Sequence, residues 1–265
     1  MSDIVYLYGF VSSPVAVPAG FSGIHGATVA TMAAGDVHAV YSRVPADEFS
    51  PESMDAQIQD LNWVGARGLE HERVVAWIVD HADILPVSLF ALYSSESALL
   101  EDANARAGAV RRQLDRLQGQ REWDFKVSYD QQRLVQNAAS VMADVRALDA
   151  EIETASAGKR FLLEKKRADV IRRELAGAAH ATGKEILGRT AIHATSVVAL
   201  PIPRADGLPV VLNAALLVRR DDEAALQTAF AAATSTLGDI GITAQLTGPW
   251  APYRFTQSDD ADGSR

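Results

Sequence analysis

Two apolar stripes in the second half of the chain, separated by a gap too short for anything but a turn, restrict the fold more than any other feature. Leu134, Ala138, Val141, Val145, Leu148 and Ile152 recur at alternating steps of four and three residues, which is a heptad seam. After Thr154-Ala155-Ser156-Ala157-Gly158, a second stripe carries Phe161, Ala168, Ile171, Leu175, Ala178, Thr182 and Ile186. Two helices joined this closely form an antiparallel hairpin, here over about 131–188. Each well-buried Leu, Ile or Phe contributes about 1.5–3 kcal/mol, so the pair is stable only as part of a larger core.

The flanking sequence supplies a sheet. In Glu122–Tyr129, Trp123, Phe125, Val127 and Tyr129 fall on one face and polar side chains on the other, the pattern of a half-buried strand. Thr195–Leu200 and Val210–Val218 read as two more strands, joined through Pro201, Pro203 and Gly207. Asp221-Asp222-Glu223 opens a helix to about Leu237, and a last strand alternates Ile242, Ala244 and Leu246 with polar residues until Gly248-Pro249 stops the ladder. Strand, helices, strand, strand, helix, strand is the order of a ferredoxin-like sandwich, with the closing strand beside Trp123–Tyr129.

The first half reads as a smaller α/β sheet domain. Ile4–Phe10 is a strand; candidates near Ile24–Met32 and Val37–Ser42 form a hairpin across Ala34-Gly35-Asp36. Ser50-Pro51-Glu52 starts helical sequence with a weak point at Gly65–Gly68, resuming with Val74, Val75, Ile78 and Val79 on one face. Ile84–Phe90 is a further strand and Ser95–Leu117 a further helix. The expected organisation is therefore α+β with two domains. Residues 1–118 form the first domain, 119–255 the ferredoxin-like domain with its hairpin, and 256–265 a polar, disordered tail.

Composition narrows the function. The chain of 265 residues has an apolar share of 48% and no cysteine, which leaves no disulfide framework and no thiolate metal site. Met1-Ser2-Asp3 carries no leader pattern, and no apolar run approaches the roughly 20 residues that span a bilayer, so a cytoplasmic protein without membrane partners is expected. A net charge of −9 opposes general nucleic-acid binding. Nine Lys and Arg against four acids lie between Gly158 and Arg189, giving that stretch +5. Arg160, Lys165, Lys166, Arg172 and Arg173 are the candidate partner-binding residues there, although a solvated helix face explains the same pattern. With Arg111, Arg112 and Arg116 they offer a nucleic-acid surface only without the interleaved aromatic residues such a surface uses.

No catalytic or cofactor constellation emerges. His71-Glu72 begins like a zinc-protease helix, yet Val75 stands where the second histidine belongs. Gly177 to Lys184 has the wrong glycine spacing for a phosphate loop, and Glu185 replaces its hydroxyl. Gly20-Phe21-Ser22-Gly23 is no nucleophile elbow.

Several separated blocks resemble the gas vesicle GvpF/GvpL family. They are Tyr6-Leu7-Tyr8-Gly9, Ala39–Pro45, His71-Glu72-Arg73-Val74-Val75, Leu85-Pro86-Val87, Glu122–Val127, Gly158–Lys166, Leu212–Val218 and the ending Thr247–Phe255. Where the family usually continues Arg-Phe-Gly-Thr after the Leu-Pro-Val block, this chain has Ser88-Leu89-Phe90-Ala91; Ala251 replaces a proline of the ending. The resemblance implies a non-enzymatic accessory protein without cofactors. Such a protein acts in the cytoplasm in association with gas vesicles, with the shell protein GvpA and other accessory proteins as partners. The alternative is a small-molecule-binding or enzymatic ferredoxin-like protein, since that fold hosts many ligand sites.

Overall fold

The computed structural model describes residues 3–203, 207–235 and 237–256. The chain forms two compact units, one of Met1–Glu122 with Pro249–Arg265, the other of Trp123–Gly248. The sequence pattern places all of 119–255 in the second domain; the stretch from Pro249 instead joins the first unit. From 257 onward the expected disordered tail lies outside the described residues.

The first unit holds a sheet of β1 (Asp3–Val11), β2 (Val29–Ala34), β3 (Val37–Pro45) and β4 (Ile84–Tyr93), in the order β2-β3-β1-β4. β1 is buried from Val5 through Val11 without alternation, the signature of a strand covered on both faces. After the short α1 (Ala46–Phe49) and α2 (Pro51–Gln57), α3 (Leu61–His81) lays Val74, Val75, Ile78 and Val79 into a core with Tyr6, Tyr8, Val40 and Val44. α4 (Glu96–Leu117) brings Leu99, Ala103, Val110 and Leu114 to all four strands. Two details differ from the sequence reading. Ile24–Gly26 is a 3-10 turn, so β2 begins only at Val29. α3 runs unbroken through Gly65 and Gly68, because the Asp60 carboxylate accepts the Asn62 and Trp63 N–H groups and fixes its start.

β1 is irregular where the sequence placed Gly9. Its partners on β3 step from Tyr41 to Val40 while β1 steps from Leu7 to Gly9, so Tyr8 is the extra residue of a bulge. Against β4 the partners jump from Ala91 to Pro86, and Val87–Phe90 leave the ladder. A Cβ on Gly9 would lie 2.6 Å from the Leu85 carbonyl oxygen, so only glycine permits this approach.

In the second unit, β5 (Gln120–Tyr129), β6 (Ser196–Ala199), β7 (Val210–Arg219) and β8 (Ile242–Trp250) form a sheet of order β6-β7-β5-β8, with β8 beside β5 as a ferredoxin-like sandwich requires. Both four-stranded sheets thus share one arrangement, but the first crossover of the first unit is a loop where the second has helices. β8 continues through Gly248-Pro249 to Trp250 instead of stopping there; it is an edge strand, the position in a sheet where proline is tolerated.

The inserted hairpin is less regular than its seam predicts. Its first arm is three short helices, α5 (Gln131–Gln136), α6 (Ala138–Val141) and α7 (Ala143–Thr154), interrupted at Asn137 and at the extended Met142. The Asn137 amide donates to the Arg133 carbonyl, a local bond that competes with continued helix. The second arm is the 34-residue α8 (Ala157–Thr190). Its buried stripe includes Leu163, Val170, Ile171, Leu175, Ala179, Gly183 and Ile186, so of the expected stripe Phe161 and Ala168 are exposed and Ala178 and Thr182 only half-buried. With Trp123, Phe125, Val127 and Leu216 these residues make one core, which α9 (Glu223–Thr234) completes through Leu226 and Ala233.

Gly241 closes this unit. It has φ 96°, its carbonyl accepts the Asp130 N–H at 2.8 Å, and a Cβ there would stand 2.6 Å from the Leu134 nitrogen. Gly241→Ala is expected to cost about 1–3 kcal/mol from backbone strain, plus the clash, seen as a lower urea midpoint. An unchanged midpoint would contradict this account of the closure.

Candidate partner-binding surface

The five cations singled out in the sequence all lie on α8 and all are exposed. A seven-residue step is close to two helical turns. Lys165 and Arg172 therefore share one flank of the buried stripe, and Lys166 and Arg173 the other. Arg160 sits in the first turn. The structure does not gather them into one patch. Arg172 pairs with Asp169 at 3.0 Å and Arg173 approaches Glu174 at 3.9 Å, exposed pairs that contribute about 0–1 kcal/mol each and leave the cations available. Arg172 and Arg173 also border a groove lined by Tyr129, Val135, Ile171 and Leu175, between α5 and α8.

The start of α8 has a feature that lies outside its apolar stripe. Phe161 is 68% and Leu162 65% exposed, side by side between Arg160 and Lys165. Farther along, α7 is anchored to α8 by the Arg167 guanidinium on the Asp149 carboxylate. The hairpin end thus presents two large apolar side chains fringed by positive charge.

In the first unit a different set of residues meets. The Phe90 N–H donates to the Tyr6 hydroxyl oxygen at 3.2 Å, and the Tyr6 hydroxyl lies 2.7 Å from His71 Nδ1. His71 Nε2 lies 2.9 Å from the Tyr253 hydroxyl, which donates to Glu72 Oε1 at 2.9 Å. Because Tyr253 spends its proton on the carboxylate, it accepts from Nε2–H; Nδ1 is then bare and accepts from Tyr6. Every proton has one place, and His71 is neutral. Burial lowers its pKa to about 4 and raises those of Tyr6 and Tyr253 above the ordinary phenol value. Beside this relay, the buried carboxylate of Glu122 accepts the Arg254 N–H at 2.9 Å and its guanidinium, while Arg116 donates to the Phe255 carbonyl. These bonds draw Tyr253–Phe255 into the first unit.

A sequence profile described as "Gas vesicle synthesis protein GvpL/GvpF" matches residues 4–257. The chain belongs to the GvpL/GvpF family. It is 29% identical to Gas vesicle protein L of a Streptomyces species over 255 residues, covering 90% of this chain and 87% of that one. Gas vesicle protein L2 of Halobacterium salinarum is 28% identical over 274 residues, with 96% and 92% covered. The crystal structure of GvpF from Anabaena superposes with a TM-score of 0.70 at 16% identity, and that of GvpF from Microcystis aeruginosa with 0.66 at 18%. Each alignment covers 97% of this chain and 100% of the other, and shows the shared fold.

Three of the sequence blocks that resemble the GvpL/GvpF family supply the relay: Tyr6 from the first, His71 and Glu72 from the helix start, Tyr253 from the ending. Sequence reasoning gave His71-Glu72 no role beyond a failed metal motif and assigned Tyr253 to the other domain. Its only signal was the coincidence of buried-type aromatic residues with one histidine at a helical core position. At the departure from the family pattern, Phe90 takes φ 66° where that pattern has glycine. The cost of about 1–2 kcal/mol is offset by its N–H bond to Tyr6 and by stacking on Trp63 at 5.3 Å.

The relay makes stability depend on pH. His71 binds a proton readily when unfolded but not in its buried site, so its contribution is complete above about pH 6.5 and falls as pH drops toward 4. The slope from this one group approaches 1.4 kcal/mol per pH unit. Denaturant titrations between pH 4 and 7 should show a shallower decline for His71→Gln than for the natural chain. Parallel profiles would refute the neutral assignment.

Proposed function

We propose that this member of the GvpL/GvpF family is a non-enzymatic accessory protein of gas vesicle formation. It binds the shell protein GvpA, together with other accessory proteins, during nucleation or wall growth, in the cytoplasm and in association with the vesicles. The observation that carries this reading is the exposed Phe161-Leu162 pair at the end of the hairpin. Shell subunits expose apolar surface before they assemble, and a carrier needs an apolar contact that does not itself collapse. A rigid hairpin rooted in a folded core provides one. Arg160, Lys165 and Lys166 around it keep the site hydrated between encounters and orient acidic segments of a partner. The described residues include no group of three or more metal-ligating side chains, and no helix among them is long and apolar enough to cross a membrane.

Removing 131–187 altogether would also remove Leu134, Ile171 and Leu175 from the core, so point variants make the sharper test. In a pull-down with GvpA, Phe161→Ser with Leu162→Ser should weaken capture by about tenfold or more, from the loss of two apolar contacts, with an unchanged melting temperature. Lys165→Glu with Lys166→Glu should weaken it less and make the remainder insensitive to salt. Equal capture by the double serine variant would remove the hairpin end from the mechanism.

A further inference from the structure

The edge of the second sheet carries a second, independent surface. Ser196–Ala199 of β6 is exposed at all four positions, with Val197 43% and Val198 37% exposed although their side chains alternate between the two faces. Val197 and Ala199 pair with Leu216 and Ala214, Ser196 and Val198 with Leu217 and Ala215. The Leu200 N–H donates to the Asn213 carbonyl at 2.9 Å, which sets the bonded pairs of this antiparallel ladder at 200, 198 and 196. The N–H and C=O groups of Val197 and Ala199 consequently point away from β7, along the open edge.

Edge strands are ordinarily blunted by proline, charge, a bulge or a covering element. β4 has Pro86 and the excursion at Val87–Phe90, β8 has Gly248-Pro249, and β2 lies under α4. β6 has no proline or charge within it, and its one irregularity is at its start, where the Thr195 N–H reaches the carbonyl of Leu217, the residue opposite Ser196. From Thr190 to Pro203 there is no Asp, Glu, Lys or Arg, in a chain whose net charge is −9. Ile192 and Ile202, on either side of the strand, are exposed as well.

We propose that β6 is the docking edge for one extended, uncharged segment of a partner polypeptide, apolar at alternate positions, which adds to the sheet as a fifth strand. The backbone groups of Val197 and Ala199 would bond to it, and Val197 and Val198 would contact its side chains on the two faces. Charge selects this occupant. Within 190–203 an acidic or basic strand meets no counter-ion, and a second copy of this chain would bring its own −9 against the first, whereas an uncharged strand meets neither penalty. The inference rests on the reading of this chain as a carrier of an apolar subunit and specifies how an extended part of that subunit is held.

The probe is a fluorescent, end-blocked hexapeptide of alternating Thr and Val, compared with a version N-methylated along one edge and a version with Glu for Thr. Binding to the full chain is read by anisotropy, and protection of the Val197 and Ala199 amides by hydrogen exchange. Ala199→Pro removes an N–H that the ladder with β7 does not use, so the variant should keep its melting temperature while binding the hexapeptide about tenfold more weakly. Val197→Lys, which places charge on the edge, should weaken it similarly. The N-methylated and Glu peptides should not bind. Equal binding by Ala199→Pro and the natural chain, or equal binding of the N-methylated peptide, overturns the proposal. So does a concentration-dependent dimer that Ala199→Pro dissolves while the hexapeptide fails to bind, since a second copy would then be the occupant. Undiminished capture of GvpA by Ala199→Pro sinks this inference and leaves the proposed function standing; hexapeptide binding without any GvpA capture does the reverse.

Discussion

A buried imidazole with two ring nitrogens needs two partners, and in this protein that requirement organises the first unit. His71 sits on α3 among Val74, Val75 and Ile78, where water is excluded. Tyr6 on β1 satisfies one nitrogen from within the sheet, and the other is met from far along the chain. Tyr253, 182 residues away in sequence, supplies it. Leaving either buried group unpaired would cost about 1–3 kcal/mol, so the tail is a structural part of this unit. Glu122 adds to the constraint: a carboxylate that is 0% exposed must have a partner, and Arg254 provides both its N–H and its guanidinium.

The second unit solves a packing problem. β5 offers the large face Trp123, Phe125, Val127, Tyr129, which one straight helix cannot cover alone. α8 covers its length, and α5 to α7 bend around it through the interruptions at Asn137 and Met142, so that Leu134, Ala138, Met142 and Val145 all reach the same core. Because the seam is used this way, the outer side of α8 and its first turn remain uncommitted. The cations and the Phe161-Leu162 pair are thus held in fixed positions by a core to which they do not contribute. The bare edge of β6 belongs to the same logic: the sheet ends there because the four strands suffice to cover the helices, and nothing in the described chain adds another.

Periodicity and punctuation made much of this legible. The alternation in Glu122–Tyr129, the strand and helix order after it and the turn at Thr154–Gly158 specify the ferredoxin-like unit, since side-chain direction alternates every residue in a strand and returns every 3.6 residues in a helix. The gas vesicle family was likewise readable from separated blocks, in their order. Tertiary structure alone decided how the stripe on α8 begins: Phe161 and Leu163 stand about 200° apart around the helix, and Leu163 is the one that meets the core. It alone decided that the tail belongs with the first unit, since hydrogen bonds across 182 residues leave no local period. The outward direction of the Val197 and Ala199 backbone groups was also set by register, which the neighbouring strand imposes and which no composition or motif within β6 encodes.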